Sequence, residues 1–124
     1  MNFELNDEHL MIKQAARDFA QNELKEGVID RDSNCEYPEK QVKRMAELGF
    51  LGMTVSTKYG GDGMDTMSYA IAVKEISKID NSCSVILSAH NSLACWGIEE
   101  YGTEEQKEKY LRPCLLYTSD AADE

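Results

Sequence analysis

The sequence predicts an all-α domain in which about five helices pack around a buried central helix. The strongest observation is the stretch from Asn81 to Tyr101, which carries no charged side chain before Glu99 apart from His90. A helix that is apolar or small on every side has to be surrounded by protein. The second observation is that the flanking segments repeat apolar residues at helical spacing, whereas no segment of useful length alternates as a strand does. We therefore expect a helical domain built on residues 81–101.

Cap residues mark the ends of this central helix. Asn81 and Ser82 are good N-caps, and Gly102 is a residue type that commonly follows the last turn of a helix. The run is too long for a buried strand, and it holds too many serine and asparagine side chains for a lipid-facing span. Because the helix should be enclosed, we expect that Leu93→Asp would bury an unpaired charge and unfold the domain.

The first helix is predicted from Asp7 to Lys25, with Asn6 or Asp7 as its cap. One face is apolar at helical spacing and is formed by Ile12, Ala16, Phe19 and Leu24. His9 lies in the first turn, where we expect it to be solvated.

The middle of the chain is predicted to contain one short helix and two irregular segments. Residues 28–37 look like a polar connector, and a helix then begins at Pro38, whose missing N–H suits a first helical position. Gly49 ends that helix, and residues 50–55 are extended in character. Residues 58–65 contain three glycines in four positions, but they lack the spacing and the lysine of a phosphate-binding loop, so we predict a tight turn.

Two more helices flank the central one. The third helix is predicted to start at Asp65 or Thr66 and to end near Ile79, with Glu75 facing water. The last covers residues 103–113 and opens with a threonine and a glutamine at the spacing of a capping box.

Composition narrows the class of partner. The formal net charge of −10 argues against nucleic acid and against an anionic membrane surface as partners. Met1 is followed by neither a basic nor an apolar leader segment, so we expect a cytoplasmic bacterial protein without membrane insertion. The four cysteines show no CxxC spacing and no nearby histidine cluster, so we assign no metal ligand. Cys83 and Cys95 are expected to be small core residues.

Residues 114–124 do not continue the pattern. An apolar stretch without a cap leads there into a polar end. A frayed natural terminus is one interpretation. We favour another, because the peptide resembles one reading frame of a transposase adaptor used in sequencing libraries. On that interpretation residues 1–113 form the domain, and the gene was cut at this point.

The residues themselves indicate no catalytic centre. Only two histidines are present, and a lone histidine such as His90 on an apolar helix is more often a hydrogen-bonded packing residue than a base. Ser88 and Ser92 neighbour it without the strand-turn-helix context of a nucleophile. Asn91 and Ser92 are expected to satisfy backbone or cross-helix hydrogen bonds in the core.

Several short segments, in this order and spacing, together resemble the acyl-CoA dehydrogenase family. The segments are Ala15-Ala16-Arg17-Asp18-Phe19-Ala20, Met45-Ala46-Glu47-Leu48-Gly49-Phe50-Leu51-Gly52, Tyr59-Gly60-Gly61-Asp62-Gly63-Met64-Asp65, Glu75-Ile76-Ser77-Lys78, Asn91-Ser92-Leu93 and Tyr101-Gly102-Thr103-Glu104-Glu105-Gln106-Lys107. The similarity extends over residues 1–113, and its nearest type is the short-chain, butyryl-CoA enzyme.

The resemblance implies the amino-terminal helical domain of a three-domain flavoenzyme. In that family FAD oxidises the thioester between its α and β carbons, a glutamate removes the α-proton, and the electrons pass to an electron-transferring flavoprotein. The enzyme is usually a homotetramer. The flavin domain and the catalytic glutamate lie outside the matched segments, so we assign no catalytic residue, and we expect this chain alone to be inactive and not to bind FAD.

The resemblance also implies two candidate sites. Ala89, His90 and Leu93 would border the pocket for the acyl tail. The docking set for the electron acceptor would consist of Ile12, Leu48, Phe50 and Met64. For both groups the alternative is a role in packing between helices. Two other functions stay open, namely a stand-alone helical protein-binding module and an acyl-CoA oxidase.

Overall fold

The computed structural model describes residues 1–116, and helices with short turns make up this part of the chain, which confirms the predicted all-α class. Within these residues no strand forms, and the α-helices are α1 (Asp7–Phe19), α2 (Val28–Ser33), α3 (Glu39–Glu47), α4 (Thr66–Ser77), α5 (Asn81–Ala89), α6 (Trp96–Tyr101), α7 (Glu104–Gln106) and α8 (Arg112–Cys114). A π-helical turn extends α1 over Ala20–Leu24, and two others, His90–Cys95 and Lys107–Leu111, join α5 to α6 and α7 to α8.

The central helix is continuous from residue 81 to residue 101, as predicted, although a π-helical turn interrupts its α-helical pattern. Its cap differs from the prediction. The side chain of Asp80, rather than Asn81 or Ser82, accepts a hydrogen bond of 3.0 Å from the N–H of Cys83. Asparagine, serine and aspartate cap helices about equally well, so the residue types alone could not decide which of the three is used.

Other predicted helix ends are confirmed. Asn6 and His9 form a reciprocal capping box at the start of α1, and Thr103 and Gln106 form another at the start of α7. The central helix stops at Gly102, where an added Cβ would lie 2.5 Å from a carbonyl oxygen of the last turn. Glycine is required there for close approach, not for a left-handed backbone, since its φ is −72°.

The predicted connector over residues 28–37 is wrong in part, because its first half forms α2. Gly27 adopts a left-handed conformation that ends the preceding turn and lets a new helix begin. Arg31 then reaches back, and its guanidinium donates to the carbonyl oxygens of Glu26 and Leu24 at 2.9 and 2.8 Å. This tertiary anchor, which periodicity does not reveal, stabilises a helix of only six residues.

The segment after α3 is compact, not extended as predicted. Residues Phe50–Gly52 form a 3-10 turn that follows the left-handed Gly49. The predicted tight turn further on is confirmed. Gly60 and Gly63 have positive φ values of 92° and 58°, and a Cβ on Gly61 would overlap the carbonyl oxygen of Val55.

The main core lies where α1, α3, α4 and α5 meet. Its fully buried members include Leu24, Met45, Ile76 and Leu87. The predicted burial of Cys83 is confirmed, and Phe19 stacks at a tilt on Phe50 with ring centroids 5.6 Å apart. A second cluster connects the glycine-rich turn to the final helices, and it consists of Val55, Tyr59, Cys95, Leu111 and Leu115.

Glu75 does not face water as predicted. Its side chain is 2% exposed, and its carboxylate lies 2.7 Å from Nζ of Lys78 and 3.4 Å from Nε of Arg17. The hydrogen bond from Lys78 outweighs burial and lowers the pKa of Glu75. Lys78 lies one turn away from Glu75 on the same stretch of chain. Arg17 belongs to α1, so its ion pair with Glu75 depends on the packing of α1 against α4.

His9 is not solvated as predicted, since its side chain is only 13% exposed. Its Nε2 atom lies 2.9 Å from Oδ2 of Asp65, while its Nδ1 atom accepts from the N–H of Asn6 at 3.4 Å. The same Asp65 caps α4 by accepting the N–H of Ser68 at 2.8 Å. One imidazole therefore connects the caps of two packed helices.

The hydrogen bond between His9 and Asp65 predicts how the stability of the domain changes at acidic pH. The hydrogen bond from His9, with that from Ser68, lowers the pKa of Asp65 from 3.8 to about 2. Because the folded-state pKa is depressed, the stability that this carboxylate contributes is complete above about pH 4 and is lost as the pH falls towards about 2. Asp65→Asn should therefore reduce the drop in urea midpoint across that range. Asp30→Asn on α2 is the control, and an equal drop in wild type and Asp65→Asn would contradict the prediction.

The carboxyl end of the described region joins the fold. Cys114 is the last residue of α8, and the side chain of Leu115 is buried against Gly52, where an added Cβ would approach it to 2.9 Å. Residues 117–124, most of the proposed adaptor-derived tail, lie outside the described residues, so the boundary at 113 stays a prediction. None of the helices in residues 1–116 is long and apolar enough to cross a membrane.

Candidate functional site

One face of the central helix is uncovered, which corrects the expectation that it is enclosed on every side. The inner face, with Leu87, Asn91 and Cys95, is at most 1% exposed. On the outer face, Val85, Leu93 and Trp96 are exposed and Ala89 is half-buried between them, and these four residues are called the exposed stripe. Exposed apolar surface at helical spacing marks a place where another molecule or another part of a protein packs. The sequence showed correctly that both faces are apolar, but composition cannot show which of them this chain covers.

Leu93 is the clearest correction within this stripe. Its side chain is 72% exposed, so an aspartate at this position would stay in water. The expectation that Leu93→Asp unfolds the domain is therefore wrong for this chain. The same exposure leaves Leu93 available for a contact outside the domain.

The three candidates for the acyl-tail pocket lie together where α5 passes into the π-helical turn. Ala89 is the last residue of α5, and His90 and Leu93 belong to the turn. Helices widen in this way mostly as single turns, frequently at functional sites. Ala89 is half-buried, and its single methyl group adds little bulk between Val85 and Leu93 on the exposed stripe.

His90 is the only basic side chain between residues 81 and 101, and it is half-buried. Its Nε2 atom is buried and has no hydrogen-bond partner among residues 1–116, which the packing prediction did not anticipate. Burial lowers the pKa of His90, and a hydrogen bond with the backbone of Cys114 opposes the shift. In the neutral imidazole the nitrogen that donates to the Cys114 backbone carries the proton, so the buried Nε2 is left as an unpaired acceptor.

Asn91 connects the inner face to the rest of the domain. Its side-chain amide donates to the carbonyl oxygens of Phe50 at 2.9 Å and Leu87 at 3.1 Å, and its Oδ1 accepts from the Thr54 hydroxyl at 3.4 Å. The expectation of buried hydrogen bonds at Asn91 is confirmed. Its network ties the π-helical turn to the 3-10 turn after α3.

The proposed docking set lies around the main core. Phe50 is a core residue with 6% exposure, and Ile12 and Met64 are half-buried against the same core. Only Leu48 is well exposed, at 43%. Beside it the carboxylate of Asp62 lies over Gly49, where an added Cβ would approach it to 2.7 Å, and partial burial raises the pKa of Asp62.

The groove between the end of α1 and α3, among the described residues, does not fit FAD. A groove of about 890 Å³ runs between the end of α1 and α3, and its lining includes the carboxylates of Glu23, Glu26, Glu39 and Glu47. Its Arg44 already donates to Glu23 and Glu47, both at 2.9 Å. A pyrophosphate would meet more carboxylates than unpaired cations there. Among the described residues, no three His, Cys, Asp or Glu side chains are grouped to hold a metal ion.

The acyl-CoA dehydrogenase N-terminal domain model matches residues 6–116. The short-chain-specific acyl-CoA dehydrogenase of Clostridium acetobutylicum is 46% identical over 113 residues, which cover 91% of this chain and 30% of that protein. The CarC subunit of the caffeyl-CoA reductase–Etf complex of Acetobacterium woodii is 40% identical over 111 residues, 89% of this chain and 29% of that subunit.

Solved structures agree with these relatives. The butyryl-CoA dehydrogenase of Megasphaera elsdenii superposes with a TM-score of 0.88 at 36% identity, over 94% of this chain and 31% of that one. The chain thus spans about 30% of the length of the proteins that it matches. Since the family model covers nearly all described residues and the fold agrees, the chain belongs to the acyl-CoA dehydrogenase family and spans its N-terminal domain.

Proposed function

We propose that this chain is the N-terminal part of a flavoenzyme that oxidises short-chain acyl-CoA thioesters between their α and β carbons. The observation that carries the proposal is the 46% identity to a short-chain-specific enzyme over 91% of the chain. The uncovered stripe on the central helix supports it, because an apolar face beside a π-helical turn suits contact with an acyl tail. FAD, which the family implies, would be held by segments outside this chain, since the groove between the end of α1 and α3 does not fit it.

The role of this domain would be to shape the pocket, not to perform the chemistry. Ala89, His90 and Leu93 would border the acyl tail and exclude water from it. The small side chain of Ala89 would leave room for the acyl tail, whereas His90 and Leu93 would limit the depth of the pocket. A pocket wall of this kind discriminates by about 1–3 kcal/mol for each methylene group of the substrate.

The test is to express the full-length parent and measure oxidation of butyryl-CoA with an artificial electron acceptor. We expect bound flavin and turnover in the parent, and neither flavin nor turnover in the 124-residue chain. A flavin-free parent with no activity on any acyl-CoA would refute the proposed function. Light scattering on the same preparation would show whether the parent is the homotetramer that we propose.

The electron acceptor is proposed to be an electron-transferring flavoprotein that docks near Leu48. The relative from Acetobacterium woodii is named as part of an Etf complex, and Leu48 is the exposed member of the docking set. In the full-length parent, Leu48→Asp should raise the KM for this acceptor about tenfold, since an interface anchor contributes more than 1 kcal/mol.

Turnover with a small artificial acceptor separates docking from all other steps and should not change in the Leu48→Asp enzyme. Ile29→Asp is the matched control, because Ile29 is an exposed apolar residue on α2, outside the docking set. An unchanged KM for the electron-transferring flavoprotein in Leu48→Asp would remove Leu48 from the docking site.

A second candidate function is reduction of an unsaturated acyl-CoA, the reverse of the same reaction. The observation that favours it is the 40% identity to a caffeyl-CoA reductase subunit. Comparing oxidation of butyryl-CoA with reduction of an arylacrylyl-CoA in the same parent would separate the two. Oxygen consumption without another acceptor would instead indicate an acyl-CoA oxidase. A native gene that ends at this domain would favour a stand-alone protein-binding module.

A further inference from the structure

Three side chains donate hydrogen bonds to backbone carbonyls where α5 passes into the π-helical turn. The amide of Asn91 donates to the Leu87 carbonyl at 3.1 Å, and the Ser92 hydroxyl donates to the Ser88 carbonyl at 2.7 Å. The hydroxyl of Tyr69 lies 3.2 Å from the same Ser88 carbonyl and 3.0 Å from the Ser88 hydroxyl. It can therefore donate to one oxygen while accepting from the other.

Such donors favour a widened turn over a regular helix. A side chain that bonds to the carbonyl four residues back competes with the backbone N–H that normally binds there, and it bends or opens the helix. In the π-helical turn the N–H groups reach five residues back, and the N–H of Trp96 accordingly donates to the carbonyl of Asn91.

Two of the three donors link the turn to other parts of the domain. Tyr69 belongs to α4, so its bond to Ser88 depends on the packing of α4 against α5. Asn91 also donates to the carbonyl of Phe50, in the turn after α3. The widened turn is thus held by tertiary contacts from two directions.

The turn sets where the second half of the exposed stripe points. A π-helical turn holds about one more residue than an α-helical turn, and one residue corresponds to about 100° of rotation. If residues 90–95 became regular α-helix, Trp96 and the residues after it would rotate by about that amount relative to Val85 and Ala89. Leu93, which lies inside the turn, would rotate by a smaller amount.

We propose that Tyr69, Asn91 and Ser92 form a clamp that holds this turn open and so sets the acyl-chain selectivity of the enzyme. The proposal rests on the proposed function. The members are positioning residues, because they act on the wall of the pocket through the helix. Tyr69 illustrates this best, since it lies on α4 and not on the stripe.

The test uses the full-length flavoenzyme and variants that lose one hydroxyl each. For Tyr69→Phe and for Ser92→Ala, we expect the ratio of kcat/KM for butyryl-CoA over octanoyl-CoA to fall about fivefold or more, because the wall is no longer held in one position. Tyr110→Phe is the control for Tyr69→Phe, because it removes a tyrosine hydroxyl that does not belong to the clamp. Ser77→Ala removes a serine hydroxyl that likewise donates to a carbonyl of its own helix, at 2.9 Å. Both controls should keep the wild-type ratio.

A second readout follows the helix itself. Amide hydrogen exchange of the peptide that spans residues 88–96 should be faster in Tyr69→Phe than in Tyr110→Phe. Faster exchange with an unchanged selectivity ratio would overturn the positioning role and leave the proposed activity intact. Unchanged exchange would overturn the clamp directly. A wild-type parent that oxidises no acyl-CoA would instead refute the proposed function, and the selectivity role with it.

Discussion

We expect Asp80→Ala to unfold most of the 124-residue chain in buffer. The Asp80 side chain is 4% exposed, accepts from the guanidinium of Arg31 at 3.0 Å and caps α5 through the N–H of Cys83. Burial alone would raise the pKa of Asp80, yet Cys83 and Arg31 hold it below its usual value, so the carboxylate is ionised and paired. Removing it leaves a buried cation unpaired, which costs about 3–5 kcal/mol, and the lost cap adds about 1 kcal/mol. Both losses are large beside the stability of a small domain.

Urea unfolding followed by circular dichroism measures the effect, and Asp65→Ala is the matched control. Asp65 is also an aspartate N-cap, at α4, and it also bonds His9, but its side chain is 58% exposed, so its removal should lower the urea midpoint less than the removal of Asp80. Asp80→Asn separates the two contributions at Asp80, since asparagine keeps the cap and loses the charge. Equal midpoints for Asp80→Ala and Asp65→Ala would contradict the larger contribution expected of the buried Asp80–Arg31 pair.

The second large effect is expected at Leu87, on the inner face of the central helix. Leu87 is completely buried in the main core, and truncating such a leucine to alanine costs about 2–5 kcal/mol. Leu87→Asp adds the burial of a carboxylate without a partner, so this variant should not fold. Leu93→Asp places the same charge less than two turns away on a side chain that is 72% exposed, and it should fold.

Circular dichroism and one-dimensional NMR of the two purified variants distinguish these outcomes. We expect native helix content and dispersed signals for Leu93→Asp and their loss for Leu87→Asp. If Leu93→Asp unfolds as well, then both faces of the helix are buried in solution, and the exposed stripe is covered by a second copy of the chain. Its oligomeric state, measured by light scattering, would then be the explanation to check.

The helices themselves could be predicted because their signals are local. The apolar residues of α1, the capping box at Thr103 and the glycine after α3 each act within one or two turns, so their effect does not depend on the rest of the fold. The errors at α2 and at Glu75 fall where a distant group decides. Helix α2 forms because Arg31 bridges the end of the preceding turn and Asp80, and Glu75 is buried because Arg17 comes from another helix.

For the candidate site, the residues named from the sequence stay a prediction, and the structure adds their placement. Ala89, His90 and Leu93 were chosen through the resemblance to a family, and the structure brings them together at one widened turn. The role of Tyr69 could not be foreseen. It lies 19 residues before its partner Ser88, and the contact exists only because α4 packs against α5.

By itself the sequence determined the helical class, the limits of the central helix and the family to which the chain belongs. These depend on periodicity, caps and ordered motifs, all of which are encoded over short distances. Only the tertiary structure decided which face of the central helix is covered, which carboxylates are paired and where the helix widens. Those features arise from contacts between helices, and the free energy of burying an apolar face is the same whichever molecule covers it. An apolar pattern therefore predicts that a face is buried, but it does not predict which element or molecule covers that face.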